Sequence, residues 1–228
     1  MSSLREQTEE VPLPRTETPS PETTGRGRPP MSDRRKHIVR AQIAHAAVKL
    51  FTAKGVSATT GDDIAHELGI STRTLWRYFP SKESCVRPLL TGGLDVMTQR
   101  LRTWPSDLSL PEHLERSGAL DEDAEAPSMA SMVDLIRMTR TEPGLRAVWL
   151  DVHHSAEEVF AEAIADRAGL APDALSVRVR AATINVALRV AAERFADRTG
   201  DDDQGEGMAD LIRAALDVVD DGLGPITR

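Results

Sequence analysis

Apolar residues return every three or four positions along most of this chain, so helices are predicted nearly throughout. Between residues 34 and 54, Val39, Ile43, Ala46, Ala47, Leu50 and Phe51 form such a stripe, and Gly55 closes it. Residues 60–83, TGDDIAHELGISTRTLWRYFPSKE, predict two shorter helices and the start of another. Thr60 with Asp63 three residues on is an Asp version of the capping box, and Ile64, Ala65 and Leu68 give that helix one apolar face. Gly69 stops it and supplies the positive φ of a tight turn. Ser71 caps the second helix, in which Leu75 and Phe79 face inward while Thr72, Arg73, Trp76 and Arg77 face outward. Pro80 and Ser81 end it and open the next at Lys82. Ala65 is small where the two helices must cross, and a unit of this size docks its second helix in a major groove.

These residues carry a resemblance. The run Thr60, Ile64-Ala65, Gly69-Ile70-Ser71, Thr74-Leu75-Trp76, Tyr78-Phe79 and Ser81-Lys82-Glu83 resembles the DNA-binding domain of the TetR family of one-component bacterial repressors, over roughly residues 34–84. One position departs: Trp76 stands where most members have a phosphate-contacting Tyr, so an indole N–H would make that bond. The resemblance implies a homodimer on a pseudo-palindromic, double-stranded operator, released when a small-molecule effector enters a C-terminal domain.

Beyond Lys82 the stripe Leu89, Leu90, Leu94, Met97 and Leu101 runs toward Trp104-Pro105, with Pro88 and Gly92-Gly93 expected to bend the helix. Residues 105–127 read as a connection with a short helix near 111–117 and an acidic stretch at 121–125. A helix follows over 129–139. Glu142-Pro143-Gly144 breaks it before a long helix with Leu145, Val148, Trp149, Val152, Ala156, Val159, Phe160, Ala163 and Ile164 on one side, ended by Gly169. Residues 172–198 leave almost no purely polar face and are expected to be buried on both sides. The last helix, 208–221, has nothing after it to pack on. These two resemble the pair that forms a four-helix bundle across the dimer in TetR-type proteins, and Ala187 is the expected contact position.

Charge sharpens the picture. The net charge of the 228 residues is −8, but residues 26–90 hold 12 basic and 5 acidic side chains, against 2 and 5 before them and 14 and 26 after. The basic region coincides with the helix-turn-helix, as phosphate binding requires. Residues 1–32, rich in Pro, Ser, Thr and Glu, predict a disordered arm. Within it, the segment from Gly25 to Pro30 resembles the Gly-Arg-Pro core of an AT-hook, which places Arg26 and Arg28 in an A·T-rich minor groove. A single cysteine, Cys85, excludes an intrachain disulfide and is expected to be buried. No apolar run approaches the ~18 residues of a membrane span, and the N-terminus lacks the apolar block of a signal peptide, so a cytoplasmic protein with no membrane partner is expected.

The fold expected is all-α: a disordered arm at 1–32, a three-helix helix-turn-helix DNA-binding domain at 33–84, and a helical ligand-binding and dimerisation domain at 85–228. Base reading falls to Thr72, Arg73 and Arg77, and phosphate positioning to Thr60, Trp76, Tyr78 and Lys82. The effector site is expected among Met97, Leu101, Trp104, Met132, Trp149, His153, Asn185 and Arg189, large soft side chains with a few polar groups. The pattern Glu142-Pro143-Gly144-Leu145 with residues 165–169 faintly resembles TetR-type proteins whose ligands are acyl-CoA-like. His153-His154 with Glu157-Glu158 is the one foothold for a metal- or cofactor-dependent helical enzyme, but adjacent residues point about 100° apart on a helix. No nucleophile–base pair or phosphate loop accompanies it, so no cofactor and no catalysis are expected. The remaining alternative is a constitutive DNA-binding dimer without an effector.

Overall fold

The computed structural model describes residues 33–118, 126–198 and 207–223, and among them there are nine α-helices and no strand. The residues from Asp33 onward form one compact unit. Arg26 and Arg28 lie outside the described residues, as does the acidic stretch 121–125.

Helix α1 (Asp33–Lys54) buries Ile43, Ala44, Ala46, Ala47, Val48 and Phe51, and ends at Gly55 with φ 84°. Helices α2 (Gly61–Glu67) and α3 (Thr72–Tyr78) pack on each other, with Ile64, Ala65 and Leu75 buried. Both caps form as expected. The Thr60 hydroxyl accepts the amide of Asp63 while the Thr60 amide donates back to the Asp63 carboxylate, and Ser71 accepts the amide of Thr74. Gly69 takes the left-handed conformation, φ 63°, that the turn demands.

A single 3₁₀ turn (Glu83–Val86) leads into α4 (Arg87–Arg102). Here the expectation that Pro88 bends the helix is corrected. Pro88 lies in the first turn of α4, where its missing N–H is needed by nothing, so it starts the helix instead of kinking it. Helix α5 (Leu110–Arg116) carries a Ser109–Glu112 capping box, and α6 (Ala126–Thr141) runs to the break before α7 (Pro143–Ala168), which ends at left-handed Gly169. The pair α8 (Leu175–Asp197) and α9 (Met208–Leu223) completes the chain.

One apolar core runs without interruption from Ile43 in α1 to Val219 in α9. The join between the expected domains is therefore packed. Gly144, at the start of α7, lies so close to Glu83 that a Cβ would come within 2.8 Å of its Cγ, and Arg87 pairs with Asp151 of α7.

Within the subunit, helix α8 is buried on one side. Val177, Ala181, Ile184, Leu188 and Ala191 face the core, and so does Ala187, at 8% exposure. Leu175, Val179, Val186 and Val190, spaced four, seven and four apart, share an opposite, exposed stripe, and Leu175 stands 79% exposed. The expectation that Ala187 is the contact position is thus corrected: its methyl group fills the subunit's own interior.

Candidate DNA-reading surface and effector site

The basic surface is built on α3. Leu75 is fully buried and Phe79 nearly so, which turns Arg73, Trp76 and Arg77 outward to solvent. The C-terminal end of α3 is pinned to α1 by Arg40, which donates to the Tyr78 carbonyl at 3.2 Å and places its guanidinium over the Phe79 ring. The Arg77 guanidinium lies over the half-buried Tyr78 ring, 5.4 Å from its centroid. The Trp76 indole, 43% exposed, lies across Gly61 so tightly that a Cβ there would fall inside the ring's contact distance. Glycine at the first position of α2 thus gives the bulkier indole its seat.

Three of the expected DNA contacts are otherwise engaged. The Thr60 hydroxyl donates its one proton to Asp63 at 2.7 Å, and the Thr72 hydroxyl donates to Asp62 of α2 at 2.5 Å. Phosphate oxygens only accept, so each hydroxyl would have to release its carboxylate to bond one. Lys82 is engaged as well. Its ammonium turns inward to the carbonyls of Val56 at 2.7 Å and Thr59 at 2.8 Å, bracing the loop that leads into α2. Lys54 reinforces the same corner by pairing with Asp63 at 2.8 Å. That bond first, with those from Thr60, holds the Asp63 carboxyl far below the ordinary carboxylate range. Cys85 is buried, and its thiol is pushed up to about 12, chiefly by burial and then by Glu83.

The expected effector residues separate into groups. Met97 and Leu101 are buried in the core on α4, and Met132 is half-buried against it on α6. Trp104 belongs to a clasp: its indole donates to the Leu108 carbonyl at 2.8 Å, and Arg167 of α7 stacks over it at 3.8 Å while donating to the Pro105 carbonyl. Trp149, His153, Asn185 and Arg189 do come together, between α7 and α8. Trp149 donates to Glu193 at 2.9 Å, Arg189 pairs with the same carboxylate at 3.1 Å, and His153 meets Asn185 at 2.7 Å.

Sequence reasoning missed a groove of about 290 Å³ between α4 and α7. Arg87, Thr91, Thr98 and Arg102 line it from α4, opposite Val152 and Ala156 of α7. None of the eight expected residues lines it. Its signal was present as positions 87, 91, 98 and 102, a polar stripe at helical spacing beside the apolar one. His154 and Glu158 do not join a metal site, and no group of three metal-ligating side chains occurs among the described residues. No helix among them is long and apolar enough to cross a membrane.

A capped bihelical unit that presents two arginines on its second helix, carried on a helical C-terminal half, defines a helix-turn-helix regulator. The chain matches "Bacterial regulatory proteins, tetR family" over residues 43–89 and "MftR C-terminal domain" over residues 122–224. It belongs to the TetR family of transcriptional regulators, which are not enzymes. It is similar to the transcriptional regulator MftR of Mycobacterium tuberculosis, 27% identical over 196 residues, or 86% of this chain and 96% of that one. The transcriptional repressor KstR2 of the same species is 40% identical over 63 residues, 28% of this chain and 32% of its own. Among solved structures, the TetR-family repressor AlkX of Dietzia sp. shares the fold, with a TM-score of 0.50 and 21% identity over 81% of this chain and 94% of that one.

Proposed function

We propose that this chain is a repressor that binds a two-fold operator as a homodimer and leaves it when a small molecule enters the C-terminal half. The observation that carries the reading is the aim of α3: its apolar side is locked by Leu75 and Phe79, so Arg73 and Arg77 project on the side a duplex would meet. Arginine pairs in a bidentate manner with O6 and N7 of guanine, which makes these two the base readers, with Trp76 and Tyr78 as donors to phosphate. Repression is the activity of KstR2, to which this chain is similar over 63 residues.

Dimerisation is supported by the exposed stripe of α8 together with Val218 of α9, 72% exposed. A second copy packed on these side chains would give them a dry environment. The groove supports effector binding, because it lies between α4, which follows the DNA-reading helices, and α7. A ligand seated there would change the spacing of the two helices and, through Glu83 and Gly144, the setting of α3.

Selection of duplexes from a random pool tests the reading. The expected product is a pseudo-palindrome whose half-site centres lie about 34–36 Å apart, or somewhat more. Arg73→Ala should weaken the selected site by about 1–3 kcal/mol and flatten discrimination at one base pair. Equal affinity for selected and scrambled duplexes at physiological salt would overturn it.

A further inference from the structure

His153 is 4% exposed on α7, and the hydrogen bonds around it fix which of its nitrogens bears the proton. Its Nδ1 lies 2.7 Å from Asn185 Oδ1. The other end of that amide sets its orientation: Nδ2 donates to the His153 carbonyl at 3.0 Å and to Glu157 Oε1 at 3.1 Å. Turning the amide over would press its oxygen against a carbonyl and a carboxylate. Oδ1 therefore faces the ring, and Nδ1 carries the proton it accepts. Burial, the largest influence on this imidazole, holds its pKa below the ordinary histidine value, so the ring is neutral at physiological pH. With its one proton on Nδ1, the ring keeps a bare lone pair at Nε2.

That lone pair is buried and finds no donor among the described residues. The Trp149 ring meets the imidazole edge-on at 4.2 Å, but its N–H goes to Glu193, which also takes Arg189. A buried acceptor without a donor is costly and calls for a partner. His153 does not itself line the groove, but Val152 and Ala156, one residue before it and three after it on α7, do.

Resting on the effector reading above, we infer that the effector is a neutral, largely apolar molecule bearing a hydroxyl or N–H group, which it donates to Nε2 of His153. A carboxylate, ester or ether offers only acceptors and is repelled there, whereas an alcohol, phenol or amide supplies the missing proton. Leu94, Val152, Ala156 and Val159 in the groove walls suit an apolar body. Selectivity of this kind is strong because a site built for one hydrogen bond leaves a polar group unpaired when the wrong ligand enters.

The test uses the full chain carrying isotope-labelled histidine. Long-range nitrogen–proton NMR of the ligand-free protein should show His153 protonated at Nδ1 and bare at Nε2. Decanol and naphthol are then titrated beside decyl methyl ether, methoxynaphthalene and decanoate. At least one alcohol should bind about tenfold tighter than its ether and move the Nε2 signal, while decanoate leaves it in place. In His153→Phe, which keeps an aromatic ring beside Trp149, alcohol and ether should bind within about twofold of each other. The labelled wild-type spectrum stands as an independent measure if that variant folds poorly. A proton on Nε2, alcohols that bind no better than ethers, or an Nε2 signal unmoved by bound alcohol, as an internal water would give, overturns the inference. Operator affinity is read separately: an alcohol that docks on Nε2 but does not release DNA supports this contact and sinks the sensor reading.

Discussion

The ammonium of Lys82 lies 2.7 Å from the carbonyl oxygen of Val56, across the loop that carries the chain from α1 into α2. A second bond, to Thr59, makes this cation a brace that holds the Thr60 cap and, through α2, the Asp62–Thr72 bond to α3. Lys82→Met should cost about 1–3 kcal/mol of stability, because it leaves two carbonyls without a charged donor. It should also weaken binding to every duplex while leaving the slope of log K against log salt unchanged. Loss of a phosphate contact would lower that slope by about 0.9, so anisotropy titrations at several salt concentrations decide between brace and contact.

Gly61→Ala separates stability from recognition. A helix normally gains about 0.5–1 kcal/mol from such a change, but here the new methyl group occupies the place of the Trp76 indole. The exposed indole can swing away, so the melting temperature should hardly fall. Operator affinity should fall, because the phosphate donor is displaced, and the tryptophan emission should shift to the red. Unchanged affinity would remove Trp76 from the contact set.

Val186→Arg should convert a dimer to monomers, since it places a charge within the exposed stripe of α8. Ala187→Arg tests something else: it overpacks the subunit's interior and should lower stability before it changes assembly. Light scattering with thermal melts on the two variants distinguishes the roles, and a dimeric Val186→Arg would place the interface elsewhere.

His153 predicts a pH dependence. Its folded pKa lies below the ordinary 6.5, so the unfolded chain binds the proton more readily. Its contribution is fully present above pH 6.5 and is lost as the pH falls through and below that value. Wild type should therefore lose more stability than His153→Phe between pH 7.5 and 5.5 in denaturant melts. Parallel losses would show that other groups govern the acid limb.

The DNA-reading half was legible in the sequence because its information is local. Thr60, Asp63, Gly69, Ser71, Leu75 and Phe79 specify caps, a turn and a buried side within twenty residues, and each took its expected place. The bracing role of Lys82 was not legible because its partners, Val56 and Thr59, are backbone carbonyls 26 and 23 residues earlier, and a carbonyl leaves no mark in a sequence. Helix α8 was read as buried on both sides because apolar periodicity records dryness, not which molecule supplies it. The groove escaped for a related reason. Trp149 and Met97 are the large soft residues that suggest a pocket, yet in a packed core such residues fill space, while Thr91 and Thr98 leave it open.

The close seating of Gly144 on Glu83, within a core shared from α1 to α9, bears on how regulators of this architecture can be recombined. A helix-turn-helix cut out at residue 84 would lose Cys85, Val86 and Leu90, all buried in the shared core, and with them the surface against which its last turn rests. Grafting a new operator preference onto this sensor therefore means rewriting the outward positions of α3 in place. An exchanged head would also have to bring a residue at position 83 that tolerates the glycine facing it, and the unit of inheritance becomes the joint.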